Sequence, residues 1–347
     1  MRNFDYENLK NKTWDNEILS YVAKIHEYKG KQEFYIKHNY VKLERLIKIA
    51  KIQSIESSNS IEGIVTTNAR LKKIMDDKTT PQNRDEKEII GYRNVLNMIH
   101  ENYKYIDLTP NYILQLHGEL LKYTSFSYRG KFKTSQNEIA KYLPDGKKEI
   151  IFYPLDPYET PNAISNICKQ YKNTVSVIDP LILIPYFILD FLCIHPFNDG
   201  NGRMSRLLTL LLLYKSGYMI GQYISIEKTV SETKENYYDA LEISCQNWRK
   251  NENDSTEFIK YMLSIILCCY RDFENRTKLV RENKVTRSYD IVKEYIINKI
   301  GIFTKREVLN ECPKLSSSSV ESALKKLVDK GIIKKIGKGK NTHYTRI

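Results

Sequence analysis

The chain has 347 residues, 41% of them apolar, and carries a formal net charge of +13. That length and apolar content exclude a disordered chain and require two or three packed cores. The charge points to an acidic partner but says nothing of fold or reaction.

The N-terminus lacks a basic stretch followed by an apolar run, so no secretory signal is expected. Six cysteines, at 168, 193, 245, 268, 269 and 312, stand mostly in apolar helical contexts without a CxxC pair, which reads as reduced thiols and a cytoplasmic location. Apolar residues recur at helical spacing through Ile18–Ile25, Tyr40–Ile61, Ile89–Ile99, Tyr112–Leu121, Ile164–Tyr171 and Tyr237–Cys245, so the chain is mainly α. Asp76–Lys87 is polar, holds Pro81, and suits a connection between an N-terminal helical region (1–88) and the main core (89–270). Thr134–Tyr153 departs from the helical pattern. There Tyr142-Leu143-Pro144-Asp145-Gly146 reads as a turn and Glu149–Tyr153 as a strand, together a β-hairpin or flap.

Pro180–Ile194 is apolar but only 15 residues long, with Pro185 and Asp190 inside it, and so falls short of the roughly 20 residues of a membrane span. It reads as a buried helix packed against the apolar run Leu207–Tyr214, and no membrane association is expected. The charged run Arg271–Arg287 suits either a helix or an exposed linker, and residues 271–285 are assigned to the latter. From Tyr289 the order is helix (289–300), short helix (305–311), helix (316–330), then two short strands around Gly337–Asn341. That order resembles a winged helix-turn-helix over residues 286–347, with Ser316 or a neighbouring serine capping the third helix. Residues 281–347 hold 16 Lys and Arg against 7 Asp and Glu, so the basic character is largely C-terminal. Lys325, Lys326, Lys330, Lys334, Lys335, Lys338 and Lys340 supply a phosphate-seeking surface, with duplex DNA as its candidate partner. Lysine-rich surfaces are also commonly just solvated.

Chemistry concentrates in His195-Pro196-Phe197-Asn198-Asp199-Gly200-Asn201-Gly202-Arg203, between two buried helices. Gly200 and Gly202 permit unusual backbone angles and close approach, and the next helix, starting near Gly202, points unpaired N–H groups at the loop. Such a start binds phosphate. Arg203 and Arg206, three apart, share a side of the helix and suit polyphosphate oxygens. Asp199 suits Mg²⁺, Asn201 offers a neutral donor to phosphate, and His195 can take a proton near neutral pH. The set suggests transfer of a phosphorus-centred group. Taken singly, the His reads as structural, the Asp-Gly as a turn and the arginines as solvated.

The contiguous run HPFNDGNGRMSR resembles the active-site signature of the Fic (AMP-transferring) family. The resemblance implies a mainly helical Fic core with a β-hairpin flap, ATP as co-substrate and Mg²⁺ as cofactor. It implies His195 as the base, Phe197 as a core anchor, Asp199 as the metal ligand, and Asn201 with the Gly200 and Gly202 backbone as phosphate contacts. Arg203 and Arg206 would grip the β- and γ-phosphates, and a Ser, Thr or Tyr hydroxyl of a target protein, or of the chain itself, would attack the α-phosphorus. Gly202 favours AMP transfer, since the related Doc toxins carry Lys there and transfer the γ-phosphate. Thr134–Asn137 resembles the start of the family flap, where a target segment adds as a strand, but many relatives have Arg in place of Lys133. Tyr237 and Tyr238 resemble a pair near the adenine, against a plain packing role.

Ser58-Asn59-Ser60-Ile61-Glu62-Gly63 resembles the family's inhibitory motif, in which Glu62 would pair with Arg206 and deny it to the γ-phosphate. The alternative is a helix end with Gly63 as its cap. Two other functions stay open: a DNA-binding regulator whose Fic domain senses nucleotide, and removal of AMP from a modified protein with Glu62 activating water. The target and the presence of a homo-oligomer are not legible.

Overall fold

The computed structural model describes residues 2–38, 40–76, 78–142, 148–278, 288–297, 299, 301–312, 315–337, 339 and 342–346. The chain divides into two compact units, Met1–Asn275 and Arg276–Ile347.

The first unit is helical, with one hairpin. Its elements are α1 (Asn16–His38), α2 (Tyr40–Ile61), α3 (Asn68–Met75), α4 (Arg84–Asn102), α5 (Pro110–Leu120), β1 (Ile139–Tyr142), β2 (Lys148–Phe152), α6 (Thr160–Thr174), α7 (Pro180–Ile194), α8 (Asn201–Lys215), α9 (Ile220–Tyr223), α10 (Ile226–Glu232), α11 (Lys234–Cys245) and α12 (Thr256–Lys278). The boundary expected at 88/89 falls inside α4, because capping by Asn83, whose side chain accepts from Glu86 N–H, starts that helix early. The linker expected from residue 271 is helical to Lys278, because the apolar face of α12 continues through the buried Phe273; residues 279–287 lie outside the described ones. The strands pair antiparallel, and the turn expected at Leu143–Gly146 also lies outside the described residues.

The core centres on α7. Asp179 accepts from Leu181 N–H, Pro180 fits the first turn, and 13 of the helix's 15 residues are buried, including Phe187, Phe191 and Leu183. Each such side chain contributes roughly 1.5–3 kcal/mol when fully buried, so the helix ending at His195 is a fixed mount. Beside it, α8 buries Leu207 through Leu213. The helix α2 is anchored by a buried polar cluster: Ser54 Oγ donates to Glu227 Oε2 at 2.7 Å, and Tyr92 OH donates to Glu227 Oε1 at 3.1 Å. Among the described residues no helix is long and apolar enough to cross a membrane. All six cysteines are free thiols, and only Cys268 is exposed.

The second unit runs α13 (Ser288–Ile297), α14 (Lys305–Glu311), α15 (Ser317–Asp329), β3 (Ile333–Ile336) and β4 (His343–Arg346), with the strands antiparallel. Ser316 Oγ accepts from Ser319 N–H and caps α15, whose Val320, Leu324 and Leu327 pack with Val292, Ile296 and Phe303 in a separate core. Lys325, Lys326, Lys330, Lys334 and Lys335 are exposed; Lys338, Lys340 and Asn341 lie outside the described residues.

Candidate active site

The loop from His195 joins the C-terminus of α7 to the N-terminus of α8. His195 itself takes the left-handed conformation (φ 51°, ψ 63°) that stops α7. Its Nδ1 lies 3.2 Å from Leu192 O, which only accepts, so Nδ1 carries the hydrogen and Nε2 keeps its lone pair. Burial pushes this imidazole down to about 4, and the nearby Lys133 ammonium adds to the effect, so at neutral pH it is a neutral base.

Gly200, at φ 86°, caps α8, whose first residue is Asn201, one position earlier than expected. The first N–H groups of this helix have no intrahelical partner and face the loop. Phe197 is fully buried and stacked on His117, with ring centroids 3.7 Å apart. His117 also reaches the loop backbone. Gly130 N–H donates to its Nδ1 at 3.0 Å, leaving Nε2–H to donate to Asp199 O at 3.0 Å.

Two side chains have engagements beyond those expected. Asn201 braces the loop: its Oδ1 accepts from Phe197 N–H at 2.9 Å and one N–H of its Nδ2 donates to Phe197 O at 2.7 Å, because a loop this tight needs its own peptide groups satisfied. Arg203 is buried and faces Glu88, Nη1 to Oε2 at 2.7 Å, with Asp199 Oδ1 3.5 Å from Nη2; a buried guanidinium needs a counter-charge. Glu88 is in turn held by Arg84 Nε at 2.7 Å. Arg203 and Arg206 therefore diverge.

Arg206 turns toward α2. Its Nε donates to Ser58 Oγ at 2.8 Å, and its Nη2 donates to Ser58 O at 2.9 Å and to Glu62 Oε1 at 2.7 Å. Burial raises the Glu62 carboxyl, but the Arg206 guanidinium outweighs it and the net displacement is downward, so the pair is ionic. A methyl group placed on Gly202 would collide with Glu62 Oε1. The carboxylate thus sits directly over the start of α8. Gly63, φ 78°, ends the turn after α2.

Asp199 Oδ1 accepts from Gly200 N–H at 2.6 Å, and Oδ2 lies 3.6 Å from Arg84 Nη2. Among the described residues no cluster of three His, Cys, Asp or Glu could hold a metal ion. The half-exposed Asp199 carboxylate has the oxygen chemistry that Mg²⁺ accepts from a single protein ligand. Tyr237 is buried against Tyr238, Phe258 and Tyr261, at centroid distances of 5.3, 6.0 and 5.7 Å, and shares a small cavity with Arg206.

Sequence reasoning missed Glu88, Arg84 and His117. Glu88 lies in a charged run of helical spacing, where an i,i+4 partner for Arg84 is the only local signal, and His117 is a lone histidine on an apolar helix.

The helical fold of the first unit is that of Fic proteins of known structure. Residues 107–213 match the model of the Fic/DOC family. The chain is 27% identical over 224 residues to the protein adenylyltransferase Fic of Drosophila melanogaster, an alignment covering 63% of this chain and 41% of that protein, well under half of the relative's length. Among solved structures, a Fic family protein from Desulfovibrio desulfuricans G20 superposes with a TM-score of 0.65 over 97% of both chains at 18% identity. A Fic domain containing signaling protein from Bacteroides thetaiotaomicron superposes with a TM-score of 0.62 at 25% identity, over 74% of this chain and 98% of that one.

Proposed function

We propose that this protein transfers AMP from ATP to a Ser, Thr or Tyr hydroxyl of a target protein or of itself, and that Glu62 holds it off at rest. One observation carries the reading: the Glu62 carboxylate lies over Gly202 at the start of α8 and is gripped by Arg206. An anion already occupies the place suited to a phosphate, and the guanidinium suited to binding that phosphate is already taken.

When Glu62 moves away, the N–H groups at the start of α8 receive phosphate oxygens and Arg206 is freed for the γ-phosphate. Arg203, ion-paired with Glu88, fixes the start of α8 against α4. The target oxygen bonds to the α-phosphorus while the bond from that phosphorus to the bridging oxygen breaks, and pyrophosphate leaves with the electron pair. The hydroxyl proton passes to His195 Nε2. Mg²⁺ bound at Asp199 would offset phosphate charge. Tyr237 and Tyr238 are assigned to the wall beside the adenine, and Phe197 and Asn201 to bracing the loop. The small Gly202 leaves room for the orientation of ATP that presents its α-phosphorus.

The test uses Glu62→Gly protein with ATP labelled at either the α- or the γ-phosphorus. Label entering protein from the α position alone, and lost in His195→Ala, is expected; label from the γ position would overturn the assignment. Release of AMP from a pre-modified protein, without transfer, would instead indicate the reverse reaction.

A second reading concerns the C-terminal unit. Its helix–helix–helix–strand–strand order, with five exposed lysines on α15, β3 and the turn between them, supports a winged helix that binds duplex DNA through phosphate contacts. It is compatible with AMP transfer.

A further inference from the structure

We propose that Lys133 and Asn137, at the base of the flap, are positioning residues that clamp the backbone around His195 and hold its imidazole in the proton-accepting orientation. The inference rests on the reading of His195 as the base.

Four consecutive carbonyls, from residue 194 to residue 197, receive donors from these two residues. Lys133 Nζ donates to Ile194 O at 3.1 Å, Asn137 Nδ2 donates to His195 O at 3.3 Å, Lys133 N–H donates to Pro196 O at 2.8 Å, and Asn137 Nδ2 donates to Phe197 O at 2.9 Å. The carbonyls thus held lie on both sides of the His195 Cα, where φ is 51°. A left-handed conformation costs on the order of 1–2 kcal/mol for a residue with a Cβ, so it persists only where its surroundings impose it.

The two residues also depend on each other. Lys133 Nζ donates to Asn137 Oδ1 at 2.9 Å, which turns the Asn137 amide so that its Nδ2 faces the loop. Lys133 is only 3% exposed, and its ammonium is spent on neutral oxygens of the loop and of Asn137. Burying a cationic side chain is unfavourable unless its donors are used, and here they are used on the catalytic backbone.

Asn137→Asp is the sharpest probe, because it is isosteric and keeps the acceptor for Lys133 while removing both donors to the loop. Lys133→Met removes the ammonium, and Lys133→Arg restores donors. In Glu62→Gly protein, Asn137→Asp and Lys133→Met are expected to lower kcat for protein labelling on the order of 10–100-fold, with KM for ATP within about 2-fold, since the phosphate-binding groups are untouched. The Lys133→Arg variant should recover most of the loss. The double variant should be little worse than either single one, as expected for one shared device. Unchanged kcat, or kcat and KM degraded together with the melting temperature, overturns the proposal.

If the Glu62→Gly parent itself transfers no label, the AMP-transfer reading has failed, and the clamp is decided by nitrogen-15 NMR of the His195 ring at neutral pH. The parent is expected to show the Nδ1–H tautomer bonded to Leu192 O, with that tautomer lost in Asn137→Asp. Its retention in Asn137→Asp would then count against the clamp.

Discussion

The Glu62 carboxylate meets the Arg206 guanidinium at 2.7 Å from a position 144 residues away in the chain, above the N-terminus of the helix that carries the signature. The carboxylate engages Arg206, the donor that the proposed function gives to a phosphate. On the proposed function, Glu62 in this position and a bound polyphosphate exclude each other at this helix end.

Ser58 tests how the block is shared. It accepts from Arg206 Nε through its side chain and from Nη2 through its carbonyl, and only the first bond is removed in Ser58→Ala. That variant should lose about 1 kcal/mol of stability and label protein more weakly than Glu62→Gly, because the ion pair remains. Labelling equal to that of Glu62→Gly would shift the main restraint from the carboxylate to the serine.

Removing Glu88 should be costly to the fold itself. The Arg203 and Glu88 side chains are 1% and 0% exposed, so Glu88→Ala leaves a buried cation without its partner. A loss of about 3–5 kcal/mol in urea unfolding is expected, together with loss of labelling. A change under about 1 kcal/mol would mean that Asp199 alone suffices to balance Arg203.

Acid should weaken the fold through histidines that stay neutral. Burial pushes His100, His117 and His195 down to about 4 from an ordinary value near 6.5. Between those values the unfolded chain binds protons that the folded chain does not, so stability falls as pH drops from about 6.5 toward 4 and is fully present above that window. For the fully buried His117, the drop from about 6.5 to about 4 corresponds to roughly 3 kcal/mol. The His117→Gln variant should show a shallower dependence, by up to one proton. An unchanged slope in urea titrations at several pH values would show that His117 does not stay neutral in the fold.

The C-terminal lysines make a separate prediction. If the unit binds duplex DNA, affinity should fall steeply with salt and disappear on deletion of residues 286–347, while Lys325→Gln should flatten the salt slope by about one unit if that lysine neutralises one phosphate. Binding that is insensitive to salt would contradict phosphate recognition.

The loop from His195 was legible because its chemistry is contiguous: glycines, an acid, an amide and two arginines stand within 12 residues, between apolar runs that can only be buried. The helices were legible from their period, and β1 and β2 from the break in it. What the sequence could not display is contact across distance. Nothing local marks Glu88 as the partner of Arg203, His117 as the platform under Phe197, or Asn137 as a donor to loop carbonyls, since each acts on residues more than fifty positions away. The hold of Asn201 on the Phe197 peptide groups is hidden for the same reason, since its type alone suggests a phosphate contact. Where a cap or a continued apolar face carries a helix through a charged stretch, as at Asn83 and after residue 270, composition alone does not mark it.

The most direct test compares transfer of label from ATP carrying α-phosphorus label by wild type, Glu62→Gly and Glu62→Gly with His195→Ala, at equal protein and magnesium concentration. Strong labelling by Glu62→Gly, little by wild type and none by the double variant is the predicted result. Equal labelling by wild type and Glu62→Gly would contradict a site held off by its own helix.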